Sequence, residues 1–153
     1  MKHPHIRLIL SITVLLGLMS AGKADDAATD KAILKVLDDF MAAFNAQDRK
    51  KAHATFHFPH ARIAGGEVRV WETPGDLEEN PPDDGKLAKK IGWHHSVWDS
   101  RKVIQRSENQ VHVAVQYTRF DKDGKKIHTV DAIYVMTKKD SRWGIKARCS
   151  LSP

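Results

Sequence analysis

Residues 110–120 (QVHVAVQYTRF) and 127–137 (IHTVDAIYVMT) are two long alternating runs joined across Asp121-Lys122-Asp123-Gly124, and 142–149 (RWGIKARC) is a third, after Lys138-Lys139-Asp140-Ser141. Apolar residues at every second position describe strands with one buried face. In the first connection Asp supplies a side-chain acceptor for its own turn and Gly accepts a positive φ, so the two runs close into a hairpin. The segment is therefore a meander of antiparallel strands. Its phase puts Val111, Val113, Val115 and Tyr117 on the inward face. Tyr134 falls in with Val130 and Ala132, and Asp131 with Ile133 and Val135. Trp143 shares a face with Ile145, Ala147 and Cys149 and is expected to be buried.

Upstream, Ile33, Leu34, Leu37, Phe40, Met41 and Phe44 recur at helical spacing and form one apolar stripe. Asp25 to Asp30 reads as a polar leader, with Thr29 or Asp30 placed to cap this helix. Asn45-Ala46-Gln47-Asp48 ends the stripe, and Asp48 is placed to cap a shorter helix through Ala52 to Phe56. Ala61-Arg62-Ile63-Ala64, Gly65-Gly66 and Glu67 to Trp71 read as a hairpin with a two-residue turn. Thr73-Pro74-Gly75-Asp76 opens an irregular section. Asn80 to Gly85 holds two prolines that fix φ and remove donors, which makes it a candidate rim loop or lid. A short helix is expected over Lys86 to Ile91, then a strand from His94 to about Gln105.

The 153 residues are one domain's worth of chain, enough to bury a core without disulfides. The start is basic (Lys2, Arg7), then apolar from Leu8 to Met19, then small (Ala21, Gly22, Ala24), the order of a secretory signal peptide. The apolar run falls well short of the roughly 20 residues that span a bilayer, so no stable membrane anchor is expected. Cleavage after Ala24 would give a signal peptide at 1–24 and one domain at 25–153, in a secreted or periplasmic protein; cleavage after Gly22 is the alternative. Of the 25 basic side chains the leader takes Lys2, Arg7 and Lys23, and of the 19 acidic ones none, so the net charge falls from +6 to about +3. The remaining basic residues are spread over turns and a helix, which argues against a nucleic-acid face. With Cys149 as the single cysteine there is no internal disulfide, and its place in a strand suits a small packed side chain.

The order helix, helix, hairpin, short helix, then four long antiparallel strands resembles the nuclear transport factor 2-like superfamily, including its SnoaL-like and ketosteroid isomerase-like members. The residues that carry the likeness are the stripe Ile33 to Phe44 with Asn45-Ala46-Gln47-Asp48, the turn Asp121 to Gly124, and the closing Arg142 to Arg148. The likeness covers Asp30 to Leu151. It implies an α+β fold in which a cone-shaped, curved antiparallel sheet wraps a long N-terminal helix and leaves an apolar pocket at its wide end. It also implies a frequent homodimer, and it leaves chemistry open because isomerases, dehydratases, cyclases and plain pocket proteins share the fold.

Candidate functional residues cluster first at Trp93-His94-His95-Ser96-Val97-Trp98-Asp99. Alternation lets only one of His94 and His95 enter a pocket, where an imidazole would serve as acid or base beside an aromatic wall. Asp131, on a partly apolar face, needs a partner such as Arg119 or Arg148. By resemblance to the isomerases it would move a proton while Tyr117 steadies an oxyanion. Trp71, Trp98, Tyr134 and Arg148 are the expected ligand-binding wall. His53, His57 and His60 have a spacing that zinc tolerates, but no acidic or Cys ligand lies near them in sequence, so no metal is expected. The expectation is a pocket for a small apolar or aromatic molecule, without cofactor. An isomerase, dehydratase or cyclase built on His94 or His95, Asp131 and Tyr117 is the second reading, and a dimeric interaction module the third.

Overall fold

A computed structural model of the chain describes residues 9–82 and 89–151, with side chains from Asp26 onward. The first residues of the expected leader, and residues 86–88 of the helix expected over Lys86 to Ile91, lie outside the described residues; residues 89–91 are helical. Helix α1 runs unbroken over Ile9–Asn45. It passes through Asp25 to Asp30, where a leader and cap were expected, and no Gly or Pro in that stretch forces an end. Among the described residues no helix is long and apolar enough to cross a membrane. The chain divides into a unit ending at Ala32, helical where described, and a unit from Ile33 onward that carries everything below.

In the second unit, α1 continues to Asn45 and is followed by α2 (Arg49–Ala54), β1 (Phe56–Ala64), β2 (Glu67–Trp71), α3 (Pro74–Glu79), β3 (His95–Arg106), β4 (Gln110–Phe120), β5 (Lys126–Lys139) and β6 (Arg142–Ser150). The strands form one curved, unclosed sheet in the order β2-β1-β6-β5-β4-β3. All neighbours are antiparallel except β1 and β6, which run parallel, with Arg62 beside Arg148. The stripe of α1 lies in the concave face: Ile33 and Leu37 are fully buried, as are Val111, Val113 and Met136 across from them. Burying such side chains contributes roughly 1.5 to 3 kcal/mol each, which is what holds helix to sheet.

Local chemistry fixes the ends. Asp121 Oδ1 accepts from the backbone N–H groups of Asp123 (3.0 Å) and Lys125 (2.8 Å), closing the β4–β5 turn as an Asx turn. Asp140 and Ser141 both take positive φ (51° and 60°), the pair a two-residue hairpin between β5 and β6 needs. Asp48 caps α2 by accepting from Lys51 N–H at 3.0 Å, but the helix stops at Ala54 and β1 begins at Phe56, earlier than expected. Thr73-Pro74-Gly75-Asp76 is a capping box that starts α3, where an irregular section was expected: Thr73 Oγ1 accepts from Asp76 N–H, and Asp76 accepts in return from Thr73 N–H. Gly144 is required by a close approach, since a Cβ there would lie 2.5 Å from the His57 ring.

One irregularity decides the interior. In β6, Ile145 pairs with Met136, yet Ala147 pairs with the next residue, Val135, so β6 carries an extra residue at Lys146. Trp143 and Ile145 point inward and are buried, as their phase predicts. Beyond the extra residue the phase inverts. Ala147 and Cys149 no longer share the face of Trp143, and Arg148 turns inward instead, 7 % exposed.

Candidate functional site

The C-terminal end of α1 and the concave face of the sheet enclose two adjoining cavities. The outer one, about 110 Å³, is walled by Phe40, Phe44, Phe56, Trp93 and Arg148, with Gln47, Asp48, Arg49, His53 and Pro82 around its mouth. The inner one, about 30 Å³, is lined by Tyr117, Arg119, Tyr134, Arg62 and Ser96, and shares Phe40, Phe44 and Arg148 with the outer. An engineered cavity of about 150 Å³ admits benzene, so the outer space is on the scale of a single ring.

The walls are positioned by specific bonds. Asn45, in the last turn of α1, donates from Nδ2 to the Ser96 carbonyl (2.8 Å) and accepts from Ser96 N–H (2.9 Å), clamping helix to β3. Trp93 Nε1 donates to Ser96 Oγ at 2.9 Å, and its ring packs 4.9 Å from Phe44. Trp98 sits edge-on to Tyr117 (5.8 Å) and Tyr134 (5.9 Å), the arrangement aromatic quadrupoles favour.

Arg148 is held by neutral groups. Its guanidinium lies 5.0 Å from the Phe40 ring centroid and 4.9 Å from that of Phe56, and its Nε donates to His60 Nε2 at 3.4 Å. His60 is fully buried, stacks on Phe56 at 3.9 Å, and has Nδ1 3.0 Å from the Ile145 carbonyl. A carbonyl can only accept, so Nδ1 carries the proton and Nε2 is free to accept from Arg148. Burial first, and then the positive charge of Arg148, pushes the imidazole pKa down to about 3. Cation–π contact supplies roughly 0.5 to 2 kcal/mol per desolvated pair, which offsets only part of the cost of burying the guanidinium.

Arg119 follows Tyr117 on the inward phase of β4 and is 6 % exposed. Its Nη1 is 3.2 Å from His128 Nε2 and its Nη2 donates to Tyr117 Oη at 3.4 Å, while Nε has no hydrogen-bond partner among the described residues.

The sequence-nominated residues divide between two faces. Tyr117, Tyr134, Trp98 and Arg148 share the concave face. Asp131 does not: it is exposed on the convex face, on the opposite phase of β5 from Tyr134, and accepts from Gln116 Nε2 at 2.9 Å. The inversion in β6 removes Arg148 from its reach, and Arg119 is inward. Neither histidine of the pair lines either of these two cavities. His94 precedes β3 and is exposed, with its Nδ1 3.1 Å from that of His95, and His95 stacks on Phe120 at 5.2 Å. Trp71 is buried away from the cavities, stacked on His60 with its Nε1 donating to the Asn80 carbonyl (2.9 Å). His57 meets Thr137 Oγ1 at 3.0 Å, so His57 and His60 serve separate structural contacts. Arg119 was within reach of sequence reasoning, because it extends the phase of Val113, Val115 and Tyr117 by one step. Phe44 was visible only as part of a core stripe, and Trp93 only as a neighbour of the histidines.

Residues 29–151 match the family model described as NTF2-like protein (DUF6841), and the chain belongs to that family. Among solved structures it is similar to an NTF2-like protein with a cystatin-like fold from Novosphingobium aromaticivorans (9% identity, 86% of each chain, TM-score 0.68). It is also similar to an NTF-2 like protein of unknown function from Shewanella oneidensis (18% identity, 81% of this chain and 99% of that one, TM-score 0.62). A third is a ketosteroid isomerase-like protein from Erwinia carotovora atroseptica (18% identity, 80% of this chain and 96% of that one, TM-score 0.61). At these identities the likeness is one of fold. No curated protein matches the chain.

The buried imidazole has a measurable consequence. Folded His60 stays neutral down to about pH 3, whereas in the unfolded chain it protonates near the ordinary imidazole value of about 6.5. The unfolded state therefore binds the extra proton, and stability that is complete above that value is lost as pH falls below it. His57, lowered by burial and then by Arg142, adds in the same direction. Denaturant unfolding is expected to show a loss of roughly 2 kcal/mol from His60 alone between about pH 7 and pH 5, and His60→Gln should remove that part of the slope. A flat profile over this interval would contradict the buried, neutral imidazole.

Proposed function

We propose that this protein is an exported, secreted or periplasmic small-molecule-binding protein that takes an apolar or aromatic compound into the concave face of its sheet. The observation that carries the reading is the outer cavity, walled by Phe40, Phe44, Phe56 and Trp93 and open at the end of α1. A cavity with aromatic walls and a set of polar groups to orient the ligand is the usual form of a small-ligand site. Export rests on the basic, apolar, small-residue order of residues 1–24.

Binding is favoured over catalysis by where the acids and bases lie. An isomerase, dehydratase or cyclase needs a proton-transfer group within hydrogen-bond reach of the substrate, and Asp131, His94 and His95 are outside both cavities. The groups that do line them are Tyr117 and Tyr134 within and Asp48 and His53 at the mouth. Asp48 is engaged by α2, capping it and pairing with Lys51 at 3.0 Å.

Association with a second copy of the chain is supported by the convex face. There Ile63, Val97 and Ile133 are exposed, and Ile63, Ile133 and Leu151 border a groove whose floor includes Ala114 and Gln116. A contiguous exposed apolar area on a sheet is the kind of surface that a two-fold interface covers.

Two measurements check this. Single-ring aromatic compounds are expected to quench Trp93 fluorescence on titration, and Trp93→Phe should remove the signal while calorimetric binding persists; no binding by any compound in such a panel would overturn the function. Native mass spectrometry of protein secreted from a bacterial host should give twice the mass of a chain beginning at Asp25. A chain that retains Met1, or a monomer at micromolar concentration, would count against export or against the dimer respectively.

A further inference from the structure

The two cavities are unusually rich in cations. Arg62, Arg119 and Arg148 line the inner one, and Arg49 and Arg148 the outer. Among the described residues the one carboxylate on either wall is Asp48, at the mouth, and its charge is met by Lys51. Among the described residues neither Arg119 nor Arg148 forms an ion pair with a carboxylate. Their partners are His60, held neutral, with His128, the Tyr117 hydroxyl and the rings of Phe40, Phe56 and Tyr117. Arg119, 6 % exposed, also keeps a buried Nε–H without a hydrogen-bond partner among the described residues. Buried charges are normally paired and buried N–H groups normally bonded, so these departures call for a missing anion.

We infer that the inner cavity is a seat for a carboxylate: Arg119 and Arg148 receive the head of a small organic acid whose apolar body occupies the outer cavity. This rests on the reading of the concave face as a small-molecule site and specifies its ligand class. The inner space is only about 30 Å³, so the head it receives is a compact group. Guanidinium groups meet the planar pair of carboxylate oxygens with parallel N–H donors, which adds direction to charge. Phe40, Phe44 and Arg148 border both cavities, so a ring against Phe44 and Trp93 can direct its substituent at Arg148.

Benzoate is the probe, with benzyl alcohol and benzamide as neutral compounds of the same size. On the full-length protein, calorimetry should give benzoate at least tenfold tighter than either, with the advantage shrinking as salt is raised. Arg119→Met should abolish that advantage, so that benzoate binds no tighter than the neutral compounds. Arg119→Lys, which keeps the charge, should retain part of it and guards against a folding defect in the first variant. Equal binding of all three compounds, or benzoate binding that Arg119→Met leaves unchanged, would overturn the carboxylate seat while the small-molecule reading survives. Binding by none of them, nor by the wider aromatic panel, would overturn both.

Discussion

A guanidinium buried on aromatic rings, without a carboxylate partner among the described residues, is the constraint on which the interior depends. Arg148 reaches that position because β6 holds one residue more than β5 opposite it, so the strand changes phase between Ile145 and Arg148. With regular pairing the side chain at 148 would face the convex side beside Asp131, an ordinary surface ion pair worth little. The extra residue places it between Phe40 of α1 and Phe56 of β1. His60 must then be neutral, because a protonated imidazole 3.4 Å from a guanidinium in this setting would be repelled by it. Backbone geometry, aromatic packing and the ionisation state of one histidine are thus a single linked arrangement.

That linkage explains why the concave face can attract a ligand rather than simply close. A fully apolar cone of this size would fill with Leu, Val and Phe. Here the narrow part of the sheet does so, through Val111, Val113 and Met136 against Ile33 and Leu37. Toward the end of α1 the same phases of β4 and β5 deliver Tyr117, Arg119 and Tyr134, and the inverted phase of β6 delivers Arg148. Two small spaces remain there, because cationic heads cannot be packed against one another as methyl groups can. Family membership supplies the scaffold, and the charge inside it belongs to this chain's own residues.

Much of the scaffold was legible in the sequence, because long alternation and a helical stripe are strong periodic signals. The α1 stripe, the Gly65-Gly66 and Asp121 to Gly124 hairpins and the buried Trp143 follow directly from them. The site was legible only in part. Tyr117 and Tyr134 could be assigned to the inner face by counting in twos, and so could Arg119. Counting fails across a bulge, and nothing in Ile145-Lys146-Ala147-Arg148 announces one, which misplaced Cys149 and linked Arg148 with Asp131. The His94-His95 pair misled for a different reason: the strand starts at His95, so alternation does not apply to His94, and the inward phase begins at Ser96. The capping box at Thr73 was readable from its Thr-x-x-Asp spacing, but the adjacent Pro74 and Gly75 masked it as loop composition.

The central claim is that Arg148 and Arg119 are inside, one bonded to a neutral His60 and the other beside His128 and the Tyr117 hydroxyl. The most direct test is a proton–nitrogen NMR spectrum of the arginine Nε–H groups in the free protein, with the two resonances assigned through Arg148→Lys and Arg119→Lys. Two Nε–H signals resolved from the bulk arginine peak and slow to exchange with solvent are expected, and the Arg148 signal should move when His60 is replaced by Gln. If both signals coincide with the rapidly exchanging surface arginines, the guanidinium groups are in water and the account of the interior is wrong.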